Sequence, residues 1–99
     1  MSRFNPKFVE EIKAFDPSLY EAANCAADLA YQEGALDVKT KLLIAMSLDA
    51  SMGNGNGVKS LSAKARAEGA TEDEIKEALR MAYFISGMKV INASTGAML

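Results

Sequence analysis

The chain has 99 residues, of which 49% are hydrophobic, and its 11 basic and 13 acidic residues give a net charge of −2. This length fits one domain, and the hydrophobic content is too high for a disordered chain. The near-neutral charge argues against a dedicated binder of nucleic acid or of a membrane surface, and no apolar run is long enough for a transmembrane helix.

Histidine is absent from the chain and cysteine occurs once, as Cys25. The first of these facts removes the commonest general base and the commonest metal ligand, and the second rules out an internal disulfide. The N-terminal residues also lack the apolar stretch of a secretory signal. We therefore expect a cytoplasmic protein that uses no metal and no cofactor.

Two Asx-Pro pairs open the first two predicted helices, over residues 6–15 and 17–33. Asn5 and Asp16 are expected to cap these helices, because each precedes a first-turn proline. Gly34 is expected to end the second helix in the left-handed conformation.

Three further helices are predicted after this point. Asp37 is expected to cap a third helix over residues 38–50, and a glycine tract separates it from a fourth over residues 57–68. Gly69 is expected to end the fourth helix. Good helix formers dominate throughout and β-branched residues are sparse, so the sequence predicts an all-α fold.

The last predicted helix opens with a capping box formed by Thr71 and Glu74. It is apolar on almost every face after Ala78, and Gly87 is expected to break or kink it. The third helix is nearly as apolar. A chain this short can scarcely enclose two such helices, so we expect other subunits to cover part of their surface.

The glycine tract, SMGNGNGVKS at residues 51–60, approaches the pattern of a phosphate-binding loop. That loop needs glycine where Val58 stands, and it follows a β-strand, whereas the segment before this tract is predicted to be helical. The pattern therefore favours an interhelical turn in which glycines supply positive φ angles. Loose anion binding near Lys59, at the start of the fourth helix, stays open as an alternative.

Three motifs follow one another from Leu36 onward: LD-x-KT at residues 36–40, A-x-x-x-GAT-x-x-EI at residues 65–75 and EAL-x-x-A at residues 77–82. In this order and spacing they resemble the carboxymuconolactone decarboxylase family, which includes the alkylhydroperoxidase D-like proteins. The resemblance implies an all-helical fold that assembles as a homotrimer or homohexamer. We expect one domain of five to six helices, with N-terminal helices in residues 1–35 and the motif region in residues 36–99.

The resemblance also implies where a redox site would lie. Peroxidase-like members have a Cys-x-x-Cys pair, a histidine and a glutamate, and these positions are occupied here by Asn54 and Gly57, by Leu61 and by Leu42. Decarboxylase members use histidines in this region. Thiol exchange needs a thiolate with a second thiol, and its proton relay needs a carboxylate and an imidazole. The resemblance therefore implies that the catalytic positions have lost their chemistry.

Several residues remain as candidates for contact with a ligand because they are polar and lie near the tract or on the last helix: Asp49, Asn54, Asn56, Lys59 and Tyr83. For Asp49 and Lys59 the alternative is a structural salt bridge or a solvated helix end. Cys25 is expected to be a small buried hydrophobe, and its functional alternative is a single peroxidatic thiol that faces the tract.

Two functional interpretations follow. The first is a non-redox, oligomeric ligand-binding or structural protein, whose partners are other copies of the chain and a small organic ligand. The second is an enzyme that acts on a small organic acid or lactone, or a peroxidase that uses Cys25. Neither involves nucleic acid or a membrane.

Overall fold

The computed structural model describes residues 4–98, and every regular element in that part of the chain is helical. Its α-helices are α1 at Lys7–Phe15, α2 at Pro17–Tyr31, α3 at Val38–Ser51, α4 at Gly55–Ala67 and α5 at Glu72–Ser94, and a 3₁₀ turn follows at Thr95–Ala97. The predicted all-α fold class is confirmed. The chain forms two compact units, divided between Leu36 and Asp37.

The first unit consists of α1 packed on α2. The carboxylate of Asp16 accepts a hydrogen bond from the Leu19 amide at 3.0 Å, which confirms the predicted cap of α2. The predicted cap of α1 is wrong, because that helix begins after Pro6 without a side-chain cap. Asn5 instead donates from Nδ2 to Asn24 Oδ1 at 2.7 Å, so its side chain ties the start of the unit to α2.

The end of α2 also differs from the prediction. The helix stops at Tyr31, and Gln32 turns the chain with φ −54° and ψ 132°. The left-handed role predicted for Gly34 is therefore wrong, since the positive-φ glycines of the described residues lie at positions 53 and 69. Neither α1 nor α2 buries a residue, and Phe15 and Leu29 are exposed. Over residues 4–36, the first unit thus has no buried core of its own.

In the second unit, α3 packs against both α4 and α5. Asp37 accepts a hydrogen bond from the Thr40 amide at 2.8 Å, which confirms the predicted cap of α3. The apolar core consists of Leu42 and Met46 on α3, Ala65 on α4, Ala70 in the α4–α5 turn and Ile75 on α5. This small core fixes α3 at the centre of the unit, where one face of the helix meets α4 and another meets α5.

The glycine tract forms a turn and the first part of α4. Gly53 is left-handed, with φ 75°, as expected for a turn glycine. Asn54 then caps α4, which begins at Gly55, earlier than predicted, because the Asn54 side chain accepts from the Gly57 amide at 3.2 Å. Gly69, with φ 96°, ends α4 as predicted.

The predicted capping box at the start of α5 is confirmed. Thr71 Oγ1 accepts from the Glu74 amide at 3.1 Å, and Glu74 Oε1 accepts from the Thr71 amide at 2.8 Å. The break predicted at Gly87 is wrong, since α5 continues through it to Ser94. A glycine inside a helix costs about 1 kcal/mol relative to alanine, which weakens a helix without ending it.

The second carboxylate oxygen of Glu74 joins α5 to α3. Lys39 Nζ donates to Glu74 Oε2 at 2.8 Å. This hydrogen bond, helped by the Thr71 amide, lowers the pKa of Glu74 below its ordinary value, and the same contact raises the pKa of Lys39. A lowered carboxylate pKa stabilises the fold above the unfolded-state pKa, and that stability is lost as the pH falls through the folded-state pKa.

Glu74→Gln should therefore reduce the acid sensitivity of the second unit. Between about pH 6 and about pH 3, the Tm of the wild-type chain should fall further than that of the variant. Glutamine is also accepted in a capping box, so the variant removes the charge and keeps the cap. Thermal unfolding followed by circular dichroism measures this, with Asp73→Asn as the control of equal charge change. If the Tm of the wild-type chain and that of Glu74→Gln fall equally as the pH decreases, the Glu74 carboxylate does not stabilise the fold in the way proposed.

Candidate functional site

The α3–α4 turn brings together three of the predicted site residues. The Asp49 carbonyl accepts from the Asn54 amide at 2.9 Å, and Asn54 Oδ1 accepts from the Gly57 amide. A Cβ atom added at Gly57 would lie 2.6 Å from Asp49 Cγ and 2.8 Å from Asn54 Nδ2. The half-buried carboxylate of Asp49 therefore fills the space that a side chain at position 57 would need.

The two leucines that replace the polar pair of the resembling enzymes contribute to packing. Leu42 has an exposed fraction of 0% and lies among the core residues of α3. Leu61 is half-buried on α4. Neither position offers a proton donor or acceptor in its side chain.

The other polar candidates lie outside this turn cluster. Asn56 and Lys59 are on α4 and are exposed. Tyr83, which is 83% exposed, borders a cavity of 180 Å³ on α5, beside Ala50 and Ser51. The structure therefore places Asp49 and Asn54 in the same cluster and gives Tyr83 a different neighbourhood.

Cys25 lies on α2, in the first unit, and is exposed. The expectation that it is a small buried hydrophobe is wrong. The physical reason is that α1 and α2 bury no residue between them, so this pair of helices offers no core to receive the thiol.

A groove of about 390 Å³ runs between α3 and α5 in the second unit. Its lining combines small and hydroxyl-bearing side chains with larger apolar ones: Thr40, Leu43, Ile44, Ser47, Leu48, Ser51, Ala78, Met81, Ala82, Ile85 and Ser86. This groove was not predicted from the sequence. Its signal is the repeat of small residues Ala78, Ala82 and Ser86 at successive turns of α5, because small side chains leave space beside a packed helix.

Two serine hydroxyls in the groove lining donate to backbone carbonyls of the unit. Ser47 Oγ donates to the Ala78 carbonyl at 3.3 Å, and Ser51 Oγ donates to the Leu48 carbonyl at 2.7 Å. Hydrogen bonds from the Thr40 side chain and backbone hold the pKa of Asp37 below its ordinary value. The lining contains no charged side chain. The groove is therefore neutral and mostly apolar, with hydroxyl oxygens still free to accept hydrogen bonds.

Residues 4–98 offer neither a metal-binding cluster nor a membrane-spanning helix. That part of the chain contains no cluster of three or more cysteine, aspartate or glutamate side chains placed to hold a metal ion. Within the same residues, each helix is too short or too polar to cross a membrane.

The sequence model of the Carboxymuconolactone decarboxylase family matches residues 17–99. A protein of Methanocaldococcus jannaschii, itself described only as uncharacterized, is 29% identical over 89 residues, which cover 89% of this chain and 83% of the relative. No solved structure matches the chain. The match includes α2 and the whole of the second unit, and with them both the turn and the groove.

Proposed function

The chain belongs to the carboxymuconolactone decarboxylase family, and on that basis we propose that it is a homo-oligomeric protein that binds a small organic ligand without thiol redox chemistry. The α3–α5 groove is the observation that supports this best. Its volume of about 390 Å³ lies within the range of roughly 300–1,000 Å³ that is usual for small-molecule sites. Helices that pack on each other form it, so it exists before a ligand binds.

The composition of the site supports binding over redox catalysis. The chain has one cysteine and no histidine, so one copy cannot form a catalytic disulfide or a cysteine–histidine pair. At the α4 amino end, Asn54 and Gly57 stand where the resemblance places the two thiols, and Asp49 takes up the space beside Gly57.

The groove also lacks the groups for acid–base catalysis. Its lining has hydroxyls but no carboxylate, amine or imidazole, and these are the side chains that usually transfer protons near neutral pH. A neutral apolar lining suits an uncharged ligand better than an organic acid, because a bound carboxylate would lose its hydration without gaining a cation.

Exposed apolar side chains support assembly. Leu48 on α3 is 59% exposed and Phe84 on α5 is 58% exposed, and both lie among many other exposed large hydrophobic residues. Soluble monomers rarely expose large contiguous apolar patches, and a domain of this size gains stability when a partner covers such surface. Other copies of the chain are the partners that we propose.

The neutral fluorophore N-phenyl-1-naphthylamine tests the groove. Its emission should rise and saturate when it is titrated into the purified wild-type chain. Ala82→Phe fills the groove from α5 and should weaken binding by at least about tenfold, which corresponds to about 1.4 kcal/mol. Circular dichroism checks that the variant keeps its helical content.

Ala67→Phe is the matched control, because Ala67 is exposed at the end of α4 and does not line the groove. It should bind the probe like the wild-type chain. The same preparations should consume no cumene hydroperoxide above background in the presence of dithiothreitol. If Ala82→Phe binds the probe as tightly as the wild-type chain, the groove is not the binding site. If the wild-type chain consumes the hydroperoxide and Cys25→Ser does not, the protein has thiol chemistry after all.

A further inference from the structure

The glycine tract contains the same dipeptide twice, as Asn54-Gly55 and as Asn56-Gly57. In an asparagine–glycine pair, the amide nitrogen of the glycine can attack the side-chain carbonyl carbon of the asparagine, because glycine has no Cβ to hinder the approach. The asparagine then loses ammonia. Both asparagines are exposed, so water reaches both. The two pairs are identical in sequence, and only their surroundings in the fold distinguish them.

The two pairs differ in backbone conformation. Asn54 precedes the first turn of α4, with φ −86° and ψ 83°, and the Gly55 amide donates to the Gly53 carbonyl at 3.2 Å in a three-residue turn. Asn56 lies inside the first turn of α4, and the amide that would attack it, that of Gly57, donates to Asn54 Oδ1 at 3.2 Å. Attack on Asn56 therefore distorts the helix and breaks its cap, whereas attack on Asn54 takes place in a non-helical turn.

The cap of α4 also prepares Asn54 for the attack. When the Gly55 nitrogen bonds to the Asn54 side-chain carbon, negative charge develops on Oδ1, and a hydrogen-bond donor already in place stabilises such a charge. The Gly57 amide is that donor. Oδ1 also lies at the amino end of α4, where the helix dipole favours negative charge. One hydrogen bond thus restrains the nucleophile that Asn56 needs and stabilises the charge that forms on Asn54.

We propose that Asn54 is a site of spontaneous modification in the folded chain, where the side-chain amide is lost through a succinimide formed with Gly55. The Gly55 nitrogen bonds to Asn54 Cγ, the Cγ–Nδ2 bond breaks, and Nδ2 leaves as ammonia with the proton of the Gly55 amide. Water then opens the ring at either of its two carbonyls, which gives aspartate or isoaspartate at position 54. Ligand binding in the α3–α5 groove plays no part in this reaction.

The modification changes the charge of the α3–α4 turn. An aspartate at position 54 still caps α4, since its carboxylate accepts from an amide as the asparagine oxygen does. Asn54 Nδ2 and the carboxyl carbon of Asp49 both lie within 2.8 Å of the position that a Cβ atom at Gly57 would take. The new carboxylate therefore lies beside that of Asp49. Isoaspartate carries the same charge and adds one carbon atom to the backbone in front of α4.

Peptide mapping by mass spectrometry, after incubation in mildly alkaline buffer, tests the site. In the folded chain, Asn54 should lose its amide at least about fivefold faster than Asn56, a ratio that corresponds to about 1 kcal/mol, the usual net value of one hydrogen bond. In urea the fold is lost, so the two rates should become similar. Equal rates in the folded chain, or no reaction at Asn54, would overturn the proposal.

Gly55→Ala tests the attacking atom. The added Cβ meets no atom within 4 Å, so the helical content measured by circular dichroism should be unchanged, while the methyl group hinders the nitrogen. Modification at Asn54 should slow by at least about tenfold, which corresponds to about 1.4 kcal/mol in the barrier. Gly34→Ala, whose added Cβ also meets no atom within 4 Å, is the matched control and should react like the wild-type chain. A Gly55→Ala chain that is modified at the wild-type rate would overturn the succinimide route.

Discussion

Leu42→Glu is expected to unfold the second unit or to lower its stability by more than about 4 kcal/mol, since an unpaired buried charge is among the most damaging substitutions. Leu42 is fully buried in the core of α3, with an exposed fraction of 0%. It is also the position at which the resemblance to the family places a glutamate. A carboxylate there would lose its hydration in an apolar core that has no cation to replace it.

A conservative variant and a pH series show whether the buried charge, rather than any change at position 42, destabilises the fold. Leu42→Met keeps the volume and apolar character and should cost less than about 1.5 kcal/mol. Urea unfolding of all three chains measures the differences. Because burial raises the pKa of a carboxyl group, the penalty in Leu42→Glu should also shrink as the pH falls and the group becomes neutral. A variant as stable as the wild-type chain, with no such pH dependence, would show that position 42 reaches water and could still accommodate a catalytic carboxylate.

The element types and most of their limits are predictable from local chemistry. Asp16, Asp37, Thr71 and Gly69 act at the helix ends where the sequence places them, because a cap depends on a few neighbouring atoms. The local signals at Asn5 and Gly34 gave wrong predictions. Asn5 finds a partner nineteen positions along the chain, in Asn24, and spacing rules within one helix do not include such a contact.

The site was less predictable than the fold, for a related reason. Asp49, Asn54 and Gly57 were each singled out because they lie in or beside the glycine tract, whereas their contact with one another was not predicted. The α3–α5 groove was missed because the two helices that form it are far apart in the chain, and the small residues in its lining are alanine and serine, which carry no distinctive chemistry. The prediction that Cys25 is buried was wrong, because hydrophobic neighbours in the sequence do not by themselves form a core. A core requires side chains to pack together, and α1 and α2 bury no residue.

Gly57→Ala should destabilise the chain by about 1–3 kcal/mol, the usual cost of forcing extra atoms into a packed site. The sign is unusual, since alanine normally stabilises a helix relative to glycine by up to about 1 kcal/mol. At Gly57 the added Cβ would lie 2.6 Å from Asp49 Cγ, so either the carboxylate or the helix must move. Gly55→Ala is a close control in the first turn of the same helix, because no atom lies within 4 Å of its added Cβ, and it should be neutral or stabilising.

A double-mutant cycle identifies Asp49 as the cause. In an Asp49→Ala background the carboxylate is gone and Asn54 Nδ2, 2.8 Å from the added Cβ, is the close neighbour that remains, so Gly57→Ala should cost clearly less than in the wild-type background. The coupling between positions 49 and 57 should then be about 1–3 kcal/mol, the range for residues in direct contact. Equal costs of Gly57→Ala in both backgrounds would mean that Asp49 does not restrict the position. If the coupling is found, position 57 can accommodate a side chain, including that of cysteine, only when the Asp49 carboxylate is removed or displaced. Because removing the carboxylate would be a precondition for thiol chemistry at this turn, the two residues constrain the site as a pair.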